Sequence, residues 1–336
     1  MQKFEILKHH CNAAVILVFL MLFNACERNE YQLLEPESAG EWTLYTTADG
    51  LPSNQVRDIK LDSKNNLWFT FPGYGIAKFN NESWTYYRTG VTPLLNDGVI
   101  CLAEASDGRI IFGTSDGLSI LANNNVWSSY VDPVTNMYVN AIKVGSNGWI
   151  WVGTQDQGFY VNKNDGLGFI KMLDAPYKNV NAIEEGVQGN IFLGTDNGII
   201  RWDGTNYSYI TTSNGLPNNK VTSIRLDRKA RLWIGTDGGK TVSWIDRNGM
   251  HQLNLMTGSD SLFVKDIRED RKGDVWFATY NNGLIRYDGV VPHVIKVFDG
   301  ILENKVNCIE EDKDGNLWFG LYSNGIAKYT LPIDIK

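Results

Sequence analysis

Histidine and cysteine are scarce in this chain, four of each among 336 residues, and their positions remove most of the chemistry they could carry. His9, His10, Cys11 and Cys26 lie in or beside an N-terminal apolar run, which leaves His251, His293, Cys101 and Cys308. No metal-type His/Cys cluster survives, so neither a zinc site nor any other metal or cofactor is expected. Basic charge is short as well: 31 Lys and Arg against 38 Asp and Glu give −7. Residues 1–25 carry Lys3 and Lys8 against Glu5, a net +1, so the remainder stands at −8. That balance excludes nucleic acid as a partner, because its affinity comes largely from Lys and Arg on phosphates. Long apolar runs are missing: Ala13 to Phe23, at 11 residues, falls far below the roughly 20 that a membrane-spanning helix needs. Helical periodicity rich in Ala, Glu and Lys is absent after residue 40, while aromatics reach 12%, with 11 Trp and 15 Tyr. This is a β composition.

What the chain does have is a repeat. Leu67-Trp68-Phe69-Thr70 returns as Ile110-Ile111-Phe112-Gly113-Thr114, Ile150-Trp151-Val152-Gly153-Thr154, Ile191-Phe192-Leu193-Gly194-Thr195, Leu232-Trp233-Ile234-Gly235-Thr236, Val275-Trp276-Phe277-Ala278-Thr279 and Leu317-Trp318-Phe319-Gly320. Steps between positions 68, 111, 151, 192, 233, 276 and 318 are 43, 40, 41, 41, 43 and 42 residues, so one β unit recurs seven times. Each unit opens with a loop and a Val-x-x-Ile strand, such as Val56 to Ile59 or Val306 to Ile309. A polar turn, the motif strand, a Gly-bearing loop and a third strand such as Gly198 to Trp202 follow. An Asp-Gly or Asn-Gly turn (Asp203-Gly204, Asn248-Gly249, Asp288-Gly289) then leads to a fourth strand such as Tyr207 to Ile210. The fold class is all-β: a single seven-bladed β-propeller of four-stranded antiparallel blades. The last unit stops after its third strand, Ile326 to Thr330, whereas a surplus strand, Trp42 to Thr46, precedes the first. The N-terminal strand is therefore expected to complete the last blade and close the ring, removing an exposed edge. Trp68, Trp151, Trp233, Trp276 and Trp318 are expected to pack between adjacent blades. Cys101 and Cys308 occupy the same place in the second and seventh repeats, a whole repeat apart, and are expected to be buried free thiols.

Residues 1–25 read as an export signal, Lys3 and Lys8 leading into the apolar run. Its end, Leu22-Phe23-Asn24-Ala25-Cys26, resembles the lipobox of bacterial lipoproteins, in which Cys26 would be diacylated, although Phe23 and Asn24 depart from the tightest form. Cleavage near Ala25 with Cys26 left as a plain thiol is the alternative. Residues 26–40, with Glu27, Glu30, Glu35, Pro36, Glu37 and Gly40, read as a flexible tether, and 41–332 as the propeller.

Gly50-Leu51-Pro52-Ser53-Asn54-Gln55-Val56, Asn214-Gly215-Leu216-Pro217-Asn218-Asn219-Lys220-Val221 and Asp312-Lys313-Asp314-Gly315-Asn316-Leu317-Trp318-Phe319-Gly320 resemble the two-component regulator propeller repeat. The resemblance runs over about residues 42–331. In that family the repeats usually form the periplasmic sensor of bacterial hybrid histidine kinases, especially in gut Bacteroidota that sense polysaccharide fragments. Those receptors carry two propellers, a β-sandwich, a membrane helix and a kinase; the residues here show one propeller only. The resemblance thus implies a sensor-type propeller, expected as a lipoprotein by itself, and does not carry kinase activity over.

Enzymatic constellations are weak. His251 and His293 fall in predicted fourth strands at the outer rim, away from the axis where propeller active sites open. Asp312-Lys313-Asp314-Gly315-Asn316 opens like a calcium loop but lacks the closing Glu and sits at the recurrent first-hairpin turn. The His and metal-carboxylate pattern of streptogramin lyases, also seven-bladed, has no counterpart. Binding is better supported. Loops before the first strand and between the second and third gather on one face around the channel mouth. They bring Tyr74, Tyr138, Tyr177, Tyr280 and Tyr322 as aromatic plates, and Asp116, Gln155, Asp156, Asp196, Asn197, Asp237, Asn281 and Asn324 as polar partners. Aromatic faces beside amides and carboxylates suit a carbohydrate. The expected function is a non-catalytic ligand- or partner-binding propeller of the cell envelope. Its partner would be an oligosaccharide or an envelope protein such as a sensor kinase, and its only membrane attachment a lipid, on the outer membrane of a Gram-negative bacterium. A carbohydrate-active lyase or glycosidase, and an interaction scaffold, are the alternatives.

Overall fold

In four of the seven repeats the first turn is set by one aspartate. In the computed structural model, which describes residues 40–130, 136–164, 168–172, 179–255, 261–296 and 303–330, Asp62 accepts the backbone N–H groups of Lys64 (2.9 Å) and Asn66 (2.7 Å) through Oδ1. Its Oδ2 accepts the indole N–H of Trp68 at 2.8 Å. Asp227, Asp270 and Asp312 do the same for Trp233, Trp276 and Trp318, each at 2.8 Å. One carboxylate thereby fixes the turn and aims the tryptophan six residues on. Asp312, the head of the calcium-loop look-alike, commits both oxygens to its own turn and to Trp318. Residues 1–25, expected to be an export signal, Cys26, the expected tether up to 39 and Tyr177 lie outside the described residues.

With its turns fixed, every repeat becomes one antiparallel sheet, and seven four-stranded sheets make the propeller. Blade 1 runs outward through Asp58–Leu61, Leu67–Phe71, Gly75–Phe79 and Trp84–Tyr87. The inner strands of blades 2 to 7 are Val99–Glu104, Val139–Val144, Val180–Glu185, Val221–Leu226, Val264–Glu269 and Val306–Glu311. Blade 7 takes its outer strand from the other end of the chain: Glu41–Tyr45 pairs with Ile326–Thr330, Trp42 opposite Tyr329.

Each interface between neighbouring blades holds its own apolar cluster, built by the motif strands. Trp318 of blade 7 packs with Leu67 and Phe69 of blade 1, Trp276 of blade 6 with Leu317 and Phe319 of blade 7, and Trp233 of blade 5 with Val275 and Phe277 of blade 6. Ile111 and Phe192 fill the same place in blades 2 and 4. The glycine of the Gly-Thr motif lets the next blade come close: a Cβ on Gly153, Gly194 or Gly235 would lie 2.6, 2.8 or 2.6 Å from Cγ1 of Val180, Val221 or Val264. The threonine pins the following loop, as Thr154, Thr195 and Thr279 donate to the carbonyls of Gly158, Gly198 and Gly283 at 2.8, 2.8 and 2.7 Å. Those loops carry most of the residues expected to bind ligand.

Candidate functional site

The inner strands do not alternate simply. In blades 2 to 7 a β-bulge interrupts the register after the first valine, between Val99 and Cys101, Val139 and Ala141, Val180 and Ala182, Val221 and Ser223, Val264 and Asp266, and Val306 and Cys308. A bulge turns the extra residue to the same side as its neighbour. At least two successive residues from each of blades 2 to 7, with Arg57 and Asp58 of blade 1, line an axial cavity of about 320 Å³. The upper ring, nearest the loop face, is Arg57, Ile100, Asn140, Asn181, Thr222, Lys265 and Asn307. Below it come Asp58, Cys101, Ala141, Ala182, Ser223, Asp266 and Cys308. Deeper still, Glu184 pairs with Lys143 and Arg225, and Glu310 with Arg268 (2.5 Å) and Lys60 (3.7 Å). Each of these glutamates ties three consecutive blades.

Most ring residues are occupied in holding the ring. Asn181, Thr222 and Asn307 donate to the carbonyls of Val221 (3.0 Å), Val264 (2.5 Å) and Val56 (2.7 Å) on the next blade. Asp58 accepts the N–H of Ile59 and, across the interface, that of Leu102 at 3.0 Å. Asp266 accepts the N–H groups of Ile267 and Ile309 at 2.8 and 2.9 Å. Burial, with the Asp266 charge adding, pushes the Asp58 carboxyl up to about 7. Burial likewise raises Asp266. Cys101 and Cys308 are free and buried, their thiols pushed well up by burial and by the Asp58 charge. Inert thiols result.

Arg57 and Lys265 are the charged members of the upper ring, and among the described residues neither makes a hydrogen bond to the next blade or an ion pair. Lys265 lies with its amine 5.3 Å from the ring centre of Tyr280. Lys305, from the loop before the inner strand of blade 7, sits 5.0 Å from Tyr280 and 5.1 Å from Tyr322. The two tyrosines meet edge to face at 5.5 Å. Burial depresses the Lys265 pKa, and Arg57 and Lys220 push the same way against Asp237.

Of the residues expected to bind ligand, the structure gathers some at this mouth. Asp237 lines the cavity and holds Lys220 at 2.5 Å. Asp196 accepts Asn179 (2.6 Å) and Asn181 (2.9 Å), and Asn179 in turn accepts Asn140 at 3.1 Å. Tyr280 and Tyr322 form the aromatic pair beside Lys265; like Asp196, they stand outside the lining of the cavity itself. Tyr74, Tyr138, Gln155, Asp156, Asn197 and Asn281 are exposed on loops of the same face, and Asp116 and Asn324 are half-buried there; none of the eight lines the axial cavity. His251 and His293 lie on outer strands, each 3.0 Å from a carboxylate, Asp246 and Asp288. Sequence reasoning missed Arg57, Lys220, Lys265 and Lys305. The signal was present in the column following each first valine, where Arg57 and Lys265 stand among amides and a hydroxyl.

Comparison with known proteins agrees with this architecture. The model of the two-component regulator propeller family matches residues 50–72, 215–238, 258–281 and 300–323. These stretches hold the four repeats that have both the turn aspartate and its tryptophan. They also hold Arg57, Lys220, Lys265 and Lys305. Over 77 residues, 20% of this chain, there is 38% identity with histidine kinase P4 of Formosa agariphila, of which the match covers 6%. Among solved structures, one described as the extracellular domain of a hybrid two-component system from B. thetaiotaomicron superposes with a TM-score of 0.74 at 20% identity, over 87% of this chain and 42% of that one. A streptogramin B lyase superposes at 0.73 with 18% identity, over 89% of this chain and 100% of the lyase. At such identities the likeness is one of fold. The chain spans less than half the length of the two-component relatives it matches.

Proposed function

We propose that this chain, four of whose repeats match the two-component regulator propeller family, is a non-catalytic ligand-binding propeller of the bacterial cell envelope. It takes glycan fragments at the loop-face mouth of its axial channel and hands occupancy to a sensor-kinase partner. The observation that carries this reading is the mouth itself, where Lys265, in the upper ring of the cavity, lies against Tyr280, and Tyr280 in turn meets Tyr322 and Lys305. An aromatic edge-to-face pair offers apolar area for a sugar face, and the amines and the Asn140–Asn179–Asp196 network offer hydrogen bonds around it. Catalysis has less to work with. Asp237 is bound to Lys220, Asp196 to two amides, and Asp58 and Asp266 to backbone N–H groups of two blades each. Such carboxylates act as clasps. Residues 1–25 serve export in this reading, and Cys26 carries the lipid that holds the propeller, through the tether of 26–40, at the outer membrane.

The test is a thermal-shift screen of the chain against a glycan panel, with the recovered glycans weighed by mass spectrometry. Stabilisation by a glycan recovered intact supports the reading. A cleaved glycan makes the protein a carbohydrate-active enzyme. Mass spectrometry of the protein isolated from membranes checks the anchor, the expected product being a diacylated Cys26 at the N-terminus.

A further inference from the structure

We infer that the group recognised at the channel mouth is an anion carried on the sugar, a uronate carboxylate or a sulfate ester, held by Lys265 and Lys305 with Arg57 in support. This rests on the glycan-binding reading and narrows its substrate class.

The argument is one of unmatched charge. The chain as a whole is acidic, at −7, yet Arg57, Lys220 and Lys265 line the mouth of the cavity, and Lys305 lies against the same Tyr280 ring as Lys265. Lys220 has a partner, Asp237 at 2.5 Å. Among the described residues Arg57, Lys265 and Lys305 have no carboxylate within ion-pair distance, while Asp237 holds Lys220 and Asp58 and Asp266 accept backbone N–H groups. Lys265 and Lys305 are moreover half-buried. A half-buried amine without a counter-ion is costly, the more so beside other cations, and a fold keeps such a group only where something else requires it. Packing does not require it here. The neighbouring ring positions Asn181, Thr222 and Asn307 stitch one blade to the next, while Lys265 turns its amine to a tyrosine face at the opening. The cavity lining also holds Asp58, Asp237 and Asp266, held by backbone N–H groups or by Lys220, so the charge left to act on a ligand is that of the cations at the rim, which draws in anions. The tyrosine pair supplies the second contact, an apolar face for the ring that bears the anion.

The experiment is calorimetric titration of the chain with four probes: tetragalacturonic acid, a sulfated carrageenan tetrasaccharide, cellotetraose and a tetraglutamate peptide. At least one acidic tetrasaccharide is expected to bind, more weakly as salt rises, and cellotetraose is not. Whichever acidic probe binds tells carboxylate from sulfate. Lys265→Met and Lys305→Met keep the aliphatic stems, and each is expected to weaken binding about tenfold, as loss of a charge-assisted hydrogen bond does. Because Lys265→Met removes crowded charge, its melting temperature without ligand is expected to stay level or rise, which separates lost binding from lost fold. Equal binding of cellotetraose would overturn the anion inference and leave glycan binding standing. Unchanged affinity in both Lys→Met variants would overturn it as well. Binding of tetraglutamate alone would overturn it in favour of an acidic peptide, and no binding by any probe would sink both readings.

Discussion

A single carboxylate serves a blade interface most economically when it fixes a backbone turn and satisfies a buried indole at once. Asp270 accepts the N–H groups of Lys272 and Asp274 and the indole of Trp276, whose side chain is fully buried. Replacing it with alanine leaves those donors without an acceptor, so Asp270→Ala is expected to cost about 2–4 kcal/mol in urea denaturation. Blade 3 shows the converse. Gly145 stands where the other tryptophan-bearing blades have aspartate, and the buried indole nitrogen of Trp151 has no hydrogen-bond partner among the described residues. The turn is otherwise the same, closed by the Gly145 N–H to Trp149 O bond at 2.8 Å. A Cβ there would meet only the Asn147 amide oxygen inside 3 Å, at 2.9 Å, and that side chain can rotate away. Gly145→Asp is therefore expected to stabilise the protein by about 1 kcal/mol, measured by the same denaturation. An unchanged or lower midpoint would mean that the turn aspartate acts through the backbone alone.

Inner strands are joined by clasps as well as by packing, and the clasps titrate. Burial, then Asp266, raises the Asp58 carboxyl from 3.8 to about 7. A raised acid favours its protonated form in the fold. Its contribution to stability is therefore fully present below about pH 4 and is lost as pH rises toward 7. Asp288 has the opposite sign. Partial burial pushes it up, but His293 and the N–H groups of Val291 and Val290 outweigh this and hold it at about 2. Its contribution is present above about pH 4 and is lost as pH falls through 2. Between pH 4.5 and 7.5 melting temperature should therefore fall as Asp58 loses its proton, and Asp58→Asn should show a flatter profile across that window. An identical slope in the variant would mean that channel water keeps the carboxyl at its ordinary value. At this scale, too, lies the boundary of what the sequence tells. Strand identities, the Asp-Gly turns and the interface tryptophans were legible because each follows from local chemistry repeated seven times. The bulges were not. Val-x-x-Ile reads as plain alternation, in which one of the two middle residues would face a neighbouring blade; the slipped register turns both to the axis. Arg57 and Lys265 were thereby hidden among residues that looked structural, while Tyr280, Tyr322 and Asp237, on loops the repeat places at the mouth, were within reach.

Over the whole molecule the closure is the longest-range contact and rests on few residues. Gly40 donates its N–H to the Tyr329 hydroxyl at 2.9 Å across 289 positions. Trp42 lies 4.7 Å from Tyr329 and 5.7 Å from Phe319, while Tyr45 stacks on Trp318 at 5.6 Å. Closing so long a loop costs only about 2 kcal/mol more than closing one blade, because the entropy grows with the logarithm of length. That cost nevertheless has to be met before the contact repays it, whereas contacts within a blade and between consecutive blades form over about a seventh of the chain or less. Closure should therefore come late, after the rate-limiting step. Trp42→Ala, which removes aromatic contacts to two residues of blade 7, is expected to cost about 2–3 kcal/mol. Nearly all of this should appear as faster unfolding, about thirtyfold or more, with refolding little changed. Stopped-flow unfolding and refolding in urea separate the two. A refolding rate that falls in step with stability would place the joint between first and last strands in the folding nucleus, and the ring would then form around its seam.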